Sequence, residues 1–92
     1  MYVFEFVEAM TEAGVQCGLA RETAFALVKQ TIQGSLNLLE NSKETPSDWT
    51  KKVCSPGGTT ERALGVLQAQ GFKDSLANAV RAATERSEEL SS

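Results

Sequence analysis

From Tyr2 to Leu90 the apolar side chains recur at intervals of three and four, and no segment alternates in twos over a useful length. That period belongs to helices and leaves no room for strands, so the fold class is all-α. In residues 2–17, Val3, Val7, Met10, Gly14 and Cys17 form a helical seam, with Glu5, Glu8 and Glu12 as the opposite stripe. Phe4, Phe6, Ala9 and Ala13 widen the apolar surface beyond what one neighbouring helix is expected to cover. Gly18 ends this helix, and Arg21-Glu22 opens a second that runs to about Glu40. Its apolar residues fall in two adjacent rows, Ala24, Leu27, Thr31, Gly34, Leu38 and Phe25, Val28, Ile32, Leu36, Leu39. Gly34 and Ser35 weaken the middle of this helix, which points to close approach by another backbone.

Three more helices follow. Thr45-Pro46-Ser47-Asp48 has Pro at a first helical position and an acid in the first turn, so a short helix is expected over 46–53, with Trp49 and Val53 as its buried face. Ala63, Leu64 and Leu67 mark a fourth helix ending at Gly71, where Phe72 is placed to pack back as in a Schellman cap. A fifth, from about Asp74 to Leu90, is expected to bury Leu76, Val80, Ala83 and Leu90. Ninety-two residues make one small domain. Because the faces of helices 2–17 and 21–40 are too wide for a monomer, a five-helix domain that buries them against a partner is expected. The helical pattern starts at the second residue without a capping side chain, so the chain is also expected to have been cut out of something longer.

Composition removes several kinds of function. Nine basic against twelve acidic residues give a net charge of −3 with no basic stripe, which disfavours nucleic acid as a partner. Histidine is absent, and with it imidazole-based acid–base chemistry and the usual zinc sites. Glu5, Glu8 and Glu12 lack the Glu-x-x-His pairs of di-metal bundles, so no metal is expected. Cys17 and Cys54 have no ligand spacing and read as reduced, packed thiols of a cytoplasmic protein. The longest apolar run, Ala24 to Val28, is far too short to span a bilayer, and no membrane is expected.

One loop stands apart. In Cys54-Ser55-Pro56-Gly57-Gly58-Thr59-Thr60, two glycines stand directly before a helix expected to be capped by Thr. Such a backbone can turn several N–H groups toward one point at the positive end of a helix, with hydroxyls of Ser55, Thr59 and Thr60 beside it. The loop can therefore hold a carboxylate or phosphate; it is equally a plain turn between two helices. A phosphate-binding P-loop is disfavoured, since its spacing and preceding strand are missing.

Lys52-Val53-Cys54-Ser55-Pro56-Gly57-Gly58-Thr59-Thr60, then Ala63-Leu64, Leu67, Gly71-Phe72 and an Ala-rich last helix with Ala79, Val80, Ala82, Ala83 and Arg86 closely resemble the C-terminal signature of pyrroline-5-carboxylate reductases. Tyr2-Val3-Phe4, Glu8-Ala9, Ala13-Gly14-Val15, Gly18-Leu19 and Arg21-Glu22 resemble the first two helices of the same domain. The resemblance implies that residues 1–92 are the C-terminal dimerisation and substrate-binding domain, a five-helix all-α domain forming an interleaved helical homodimer through helices 2–17 and 21–40, and that a Rossmann domain binding NADPH or NADH belongs upstream and is absent from this chain. No Gly-x-Gly-x-x-Gly occurs here, so no cofactor is expected on this chain and the chain alone is expected to be inactive. The implied reaction is hydride transfer to the C=N carbon of 1-pyrroline-5-carboxylate, giving L-proline. It further implies that the substrate carboxylate lies on the amides of Gly57, Gly58, Thr59 and Thr60 near the Ser55 hydroxyl. The resemblance likewise implies a catalytic role for Thr60, its hydroxyl hydrogen-bonding the ring nitrogen. Ala20 departs from the proline that many relatives place there. Two other functions compete: a freestanding helical dimerisation module without activity, and an anion- or amino-acid-binding regulator.

Overall fold

Tyr2–Gln16 form helix α1 and Arg21–Glu40 form helix α2 in the computed structural model, which describes every residue from Met1 to Ser92. α1 stops where the sequence says it should. Gly18 adopts a φ of +105°, its N–H donates to the Val15 carbonyl at 3.0 Å, and the Leu19 N–H reaches the Gly14 carbonyl at 3.0 Å. These paired bonds are a Schellman motif, and they satisfy carbonyls that the helix end leaves open. The chain then reverses within four residues, and α2 packs on α1.

The contact between them is narrow and close. Burial falls on Thr11 in α1 and on Ala24 and Val28 in α2, with Val7, Gly14 and Ile32 half-buried. A Cβ added to Gly14 would stand 2.9 Å from the Ala24 Cβ, so both small residues are required for the helices to approach this far. The expected α1 seam is therefore corrected: Val7 and Gly14 belong to it, Thr11 joins them, and Val3, Met10 and Cys17 are exposed. Thr11 was passed over because it is polar; its hydroxyl is buried without a hydrogen-bond partner. Across the turn, the Arg21 guanidinium meets the Glu12 carboxylate at 2.5 Å, tying the start of α2 to the last turns of α1. Open beside this seam is an apolar groove of about 330 Å³, with Phe6, Met10 and Ala13 of α1 on one side and Leu27, Thr31 and Ile32 of α2 on the other. These helices belong to one compact unit, Met1–Pro46.

The second unit, Ser47–Ser92, carries nearly all of α3 (Pro46–Val53), with α4 (Thr59–Ala69) and α5 (Phe72–Ser91). α3 starts at Pro46 as expected. Trp49 is half-buried with the Lys52 ammonium 5.1 Å from its ring centroid, but Val53 is exposed, so the expected α3 face is only half formed. α4 and α5 join at Gly71, whose φ of +75° both ends α4 and starts α5. Its N–H donates to the Gln68 carbonyl at 3.2 Å, and Phe72 is the first residue of α5. No residue of this unit is buried. Leu76, Val80, Ala83 and Leu90, expected in a core, are all exposed: the stripe exists, but the chain offers nothing to cover it. The architecture is thus five helices without strands. None of them is long and apolar enough to cross a membrane.

Candidate functional site

The loop between α3 and α4 begins as α3 runs out, with the Cys54 N–H on the Lys51 carbonyl at 3.3 Å. Ser55 to Gly58 then form a β-turn closed by the Gly58 N–H on the Ser55 carbonyl at 2.9 Å. Pro56 occupies the second position, where its ring pre-sets φ, and Gly57 the third, with φ +71°. This is a type II turn, whose third position favours glycine for its positive φ. Gly58 is extended, with φ −83° and ψ 176°, and acts as the N-cap of α4. An added Cβ there would meet the Ser55 carbonyl oxygen at 3.1 Å, so Gly58 is small for a steric reason.

The cap itself differs from expectation. Thr59 and Thr60 are the first two residues of α4 rather than its cap, since the Gly58 carbonyl already accepts the Arg62 N–H at 3.2 Å. The place of a capping hydroxyl is taken from within the helix: the Gly57 N–H donates to Glu61 Oε1 at 3.0 Å. Sequence reasoning missed this role of Glu61. The available signal was a glutamate three residues after the cap, the spacing of a capping box, here reaching one residue further back.

Accounting for donors fixes what the loop can do. The amides of Gly57 and Gly58 are engaged within the chain, by Glu61 and by the turn. The amides of Thr59 and Thr60 lie in the first turn of α4, where a helix has no acceptor of its own for them, and both residues are exposed. Exposed Ser55 supplies a hydroxyl at the other end of the turn. An anion arriving here meets two backbone donors, neighbouring hydroxyls and the positive end of an 11-residue helix, with no cationic side chain required. The five residues singled out from sequence, Ser55, Gly57, Gly58, Thr59 and Thr60, thus fall on one turn and one helix start. The two glycines shape the turn; the serine and threonines beside it are exposed.

A family model for pyrroline-5-carboxylate reductase dimerisation matches residues 1–90. Pyrroline-5-carboxylate reductases of Synechocystis and Pseudomonas aeruginosa are each 43% identical to this chain over 97% of its length, which is 33% of theirs. A crystal structure of Plasmodium falciparum pyrroline carboxylate reductase with NADP bound superposes with a TM-score of 0.96 at 40% identity, covering 99% of this chain and 35% of that one. The chain therefore spans about a third of the length of the relatives it matches.

Proposed function

This chain belongs to the pyrroline-5-carboxylate reductase dimerisation family, and we propose that it is the dimerisation and substrate-binding part of an enzyme reducing 1-pyrroline-5-carboxylate to L-proline. The observation that carries this reading is the Ser55–Gly58 type II turn feeding α4 with two free first-turn amides, in a chain matched by the family along nearly its whole length. The substrate is a monocarboxylate with a ring nitrogen. Its carboxylate lies on the Thr59 and Thr60 amides and the Ser55 hydroxyl, and it reaches the Gly57 amide when the Glu61 carboxylate yields it. Gly58 keeps the approach open, because any side chain there would crowd Ser55. The Thr60 hydroxyl hydrogen-bonds the ring nitrogen and is the group we assign to catalysis, holding that nitrogen while the neighbouring carbon accepts hydride.

NADPH or NADH supplies the hydride when bound to a nucleotide-binding domain. Residues 1–92 form no strand and so contain no dinucleotide-binding βαβ unit, and we assign that task to a separate part of the enzyme. The reading makes residues 1–92 one functional domain and its partner a second copy, packed through α1 and α2. Exposure of Phe6, Phe25, Leu27, Leu36 and Leu38 supports this, since a monomer would leave that surface in water. The free thiols of Cys17 and Cys54 suit the cytoplasm, and a net charge of −3 suits neither nucleic acid nor an anionic membrane. The relatives named above are reductases, which favours this reading over a freestanding dimerisation module.

The test is a chimaera in which this chain replaces the matching third of the Pseudomonas aeruginosa reductase. It should oxidise NADPH in the presence of 1-pyrroline-5-carboxylate, and Thr60→Val within it should lose about two orders of magnitude in kcat/KM. A folded, dimeric but inactive chimaera would contradict the proposal.

A further inference from the structure

The α3–α4 turn already holds a carboxylate, and it is the chain's own. A type II turn closes through the N–H of its fourth residue, here Gly58, and leaves the N–H of its third, Gly57, without a partner inside the turn. Glu61 takes that N–H, accepting it on Oε1 at 3.0 Å. Glu61 is the third residue of α4, a position from which a glutamate ordinarily returns to the amide of the capping residue. Gly58 is that residue, and its amide is engaged by the Ser55 carbonyl, so the Glu61 carboxylate reaches past it to Gly57. One negative charge thus sits where the turn and the positive end of the helix together favour an anion. Gly57 and Glu61 are both exposed, so their bond is open to exchange with solutes and its net strength is modest.

We propose that Glu61 is a built-in competitor of the substrate carboxylate and sets how tightly the turn binds it. The inference rests on the substrate-binding reading above and adds the residue that opposes it. A carboxylate on the Thr59 and Thr60 amides lies on the two residues just before Glu61, and two like charges at one helix end repel. Glu61 therefore swings out and gives up the Gly57 N–H before that amide joins the ligand. Side-chain rotation is enough for this, because the turn is closed by Gly58 and Ser55 and does not depend on Glu61. Substrate and product carry the same carboxylate, so Glu61 weakens both alike and acts on KM rather than on kcat.

An ¹⁵N NMR titration of the 92-residue chain with cyclopentanecarboxylate, and with the uncharged cyclopentanecarboxamide, isolates the effect, since neither ligand has a ring amine for Glu61 to attract. In the unaltered chain the carboxylate should shift the Gly57, Thr59 and Thr60 amides together. Glu61→Gln keeps an oxygen for the Gly57 N–H but loses the charge; it should lower the Kd of the carboxylate about fivefold and leave that of the carboxamide within about twofold. Glu61→Ala, which loses both, should bind the carboxylate at least as tightly as Glu61→Gln. If the carboxylate shifts Thr59 and Thr60 but neither variant binds it more tightly than the unaltered chain, Glu61 does not compete and the inference is overturned with the site intact. Equal gains for both ligands would also overturn it, since a change in the turn itself would produce them. If Thr59 and Thr60 stay unmoved in all three proteins, the site reading falls and this inference with it.

Discussion

At Gly57 the backbone φ of +71° is the constraint, since space around it is open, whereas at Gly58 the backbone is ordinary and the neighbouring Ser55 is close. Substitutions should separate the two. Gly57→Ala should lower stability by about 1 kcal/mol through left-handed strain, with Gly57→Asn recovering part of it, as read from thermal melts. Equal melting of glycine and alanine at 57 would show that the turn is not type II. Elsewhere on the chain, Glu12 is held below the usual carboxylate range, first by its hydrogen bond from Arg21 and then by that residue's charge. The same contact raises the already high pKa of Arg21, which stays protonated throughout. A depressed carboxylate contributes stability above its unfolded pKa and loses it as pH falls through its folded value, so this tie weakens only in acid. In an NMR titration the Glu12 midpoint should lie below the usual carboxylate range, and in Arg21→Gln it should move up. An unchanged Glu12 midpoint would show that the pair does not form in solution.

Between elements, the α1–α2 contact turns on the Gly14–Ala24 approach. Gly14→Ala should destabilise by about 1–3 kcal/mol because its Cβ has no room, and adding Ala24→Gly should return part of the loss. Urea unfolding of the double-mutant cycle measures this; strictly additive effects would mean that the two residues do not touch. The sequence was informative about these elements to an uneven degree. Helix existence, the stop at Gly18 and the start at Pro46 were legible because each depends on local chemistry: glycine at positive φ, or proline at a first helical position. Which face each helix buries was legible only in part. The α1 seam includes a threonine that hydrophobic patterning passes over, and the α5 stripe is real but uncovered. The turn before α4 was legible at the level of its residues, since Pro-Gly-Gly specifies it. Its donor arrangement was not, because the Glu61 contact and the shift of the cap to Gly58 depend on where the helix begins by a residue or two.

For the whole molecule, the telling feature is how little it buries. Aromatic and aliphatic side chains along α1, α2 and α5 stand in water, each a loss of up to about 1.5–3 kcal/mol relative to burial, and the buried Ala24 and Val28 of a single copy are too small a core to offset its conformational entropy. Folding and association should then be one event. Leu27→Glu, or Ile32→Glu, should abolish both together by placing an unpaired charge in the shared core, a penalty of roughly 3–5 kcal/mol per copy. A folded monomer from either variant, seen by light scattering with intact helical dichroism, would count against an interleaved dimer. Capture of a carboxylate by the Ser55–Thr60 turn is the claim on which the enzymatic reading depends. Titration of L-proline into the ¹⁵N-labelled chain tests it most directly. Saturable shifts of the Thr59 and Thr60 amides, with the Gly18 and Gly71 amides unmoved, are the predicted result; shifts that stay flat at Thr59 and Thr60 as proline rises would contradict it.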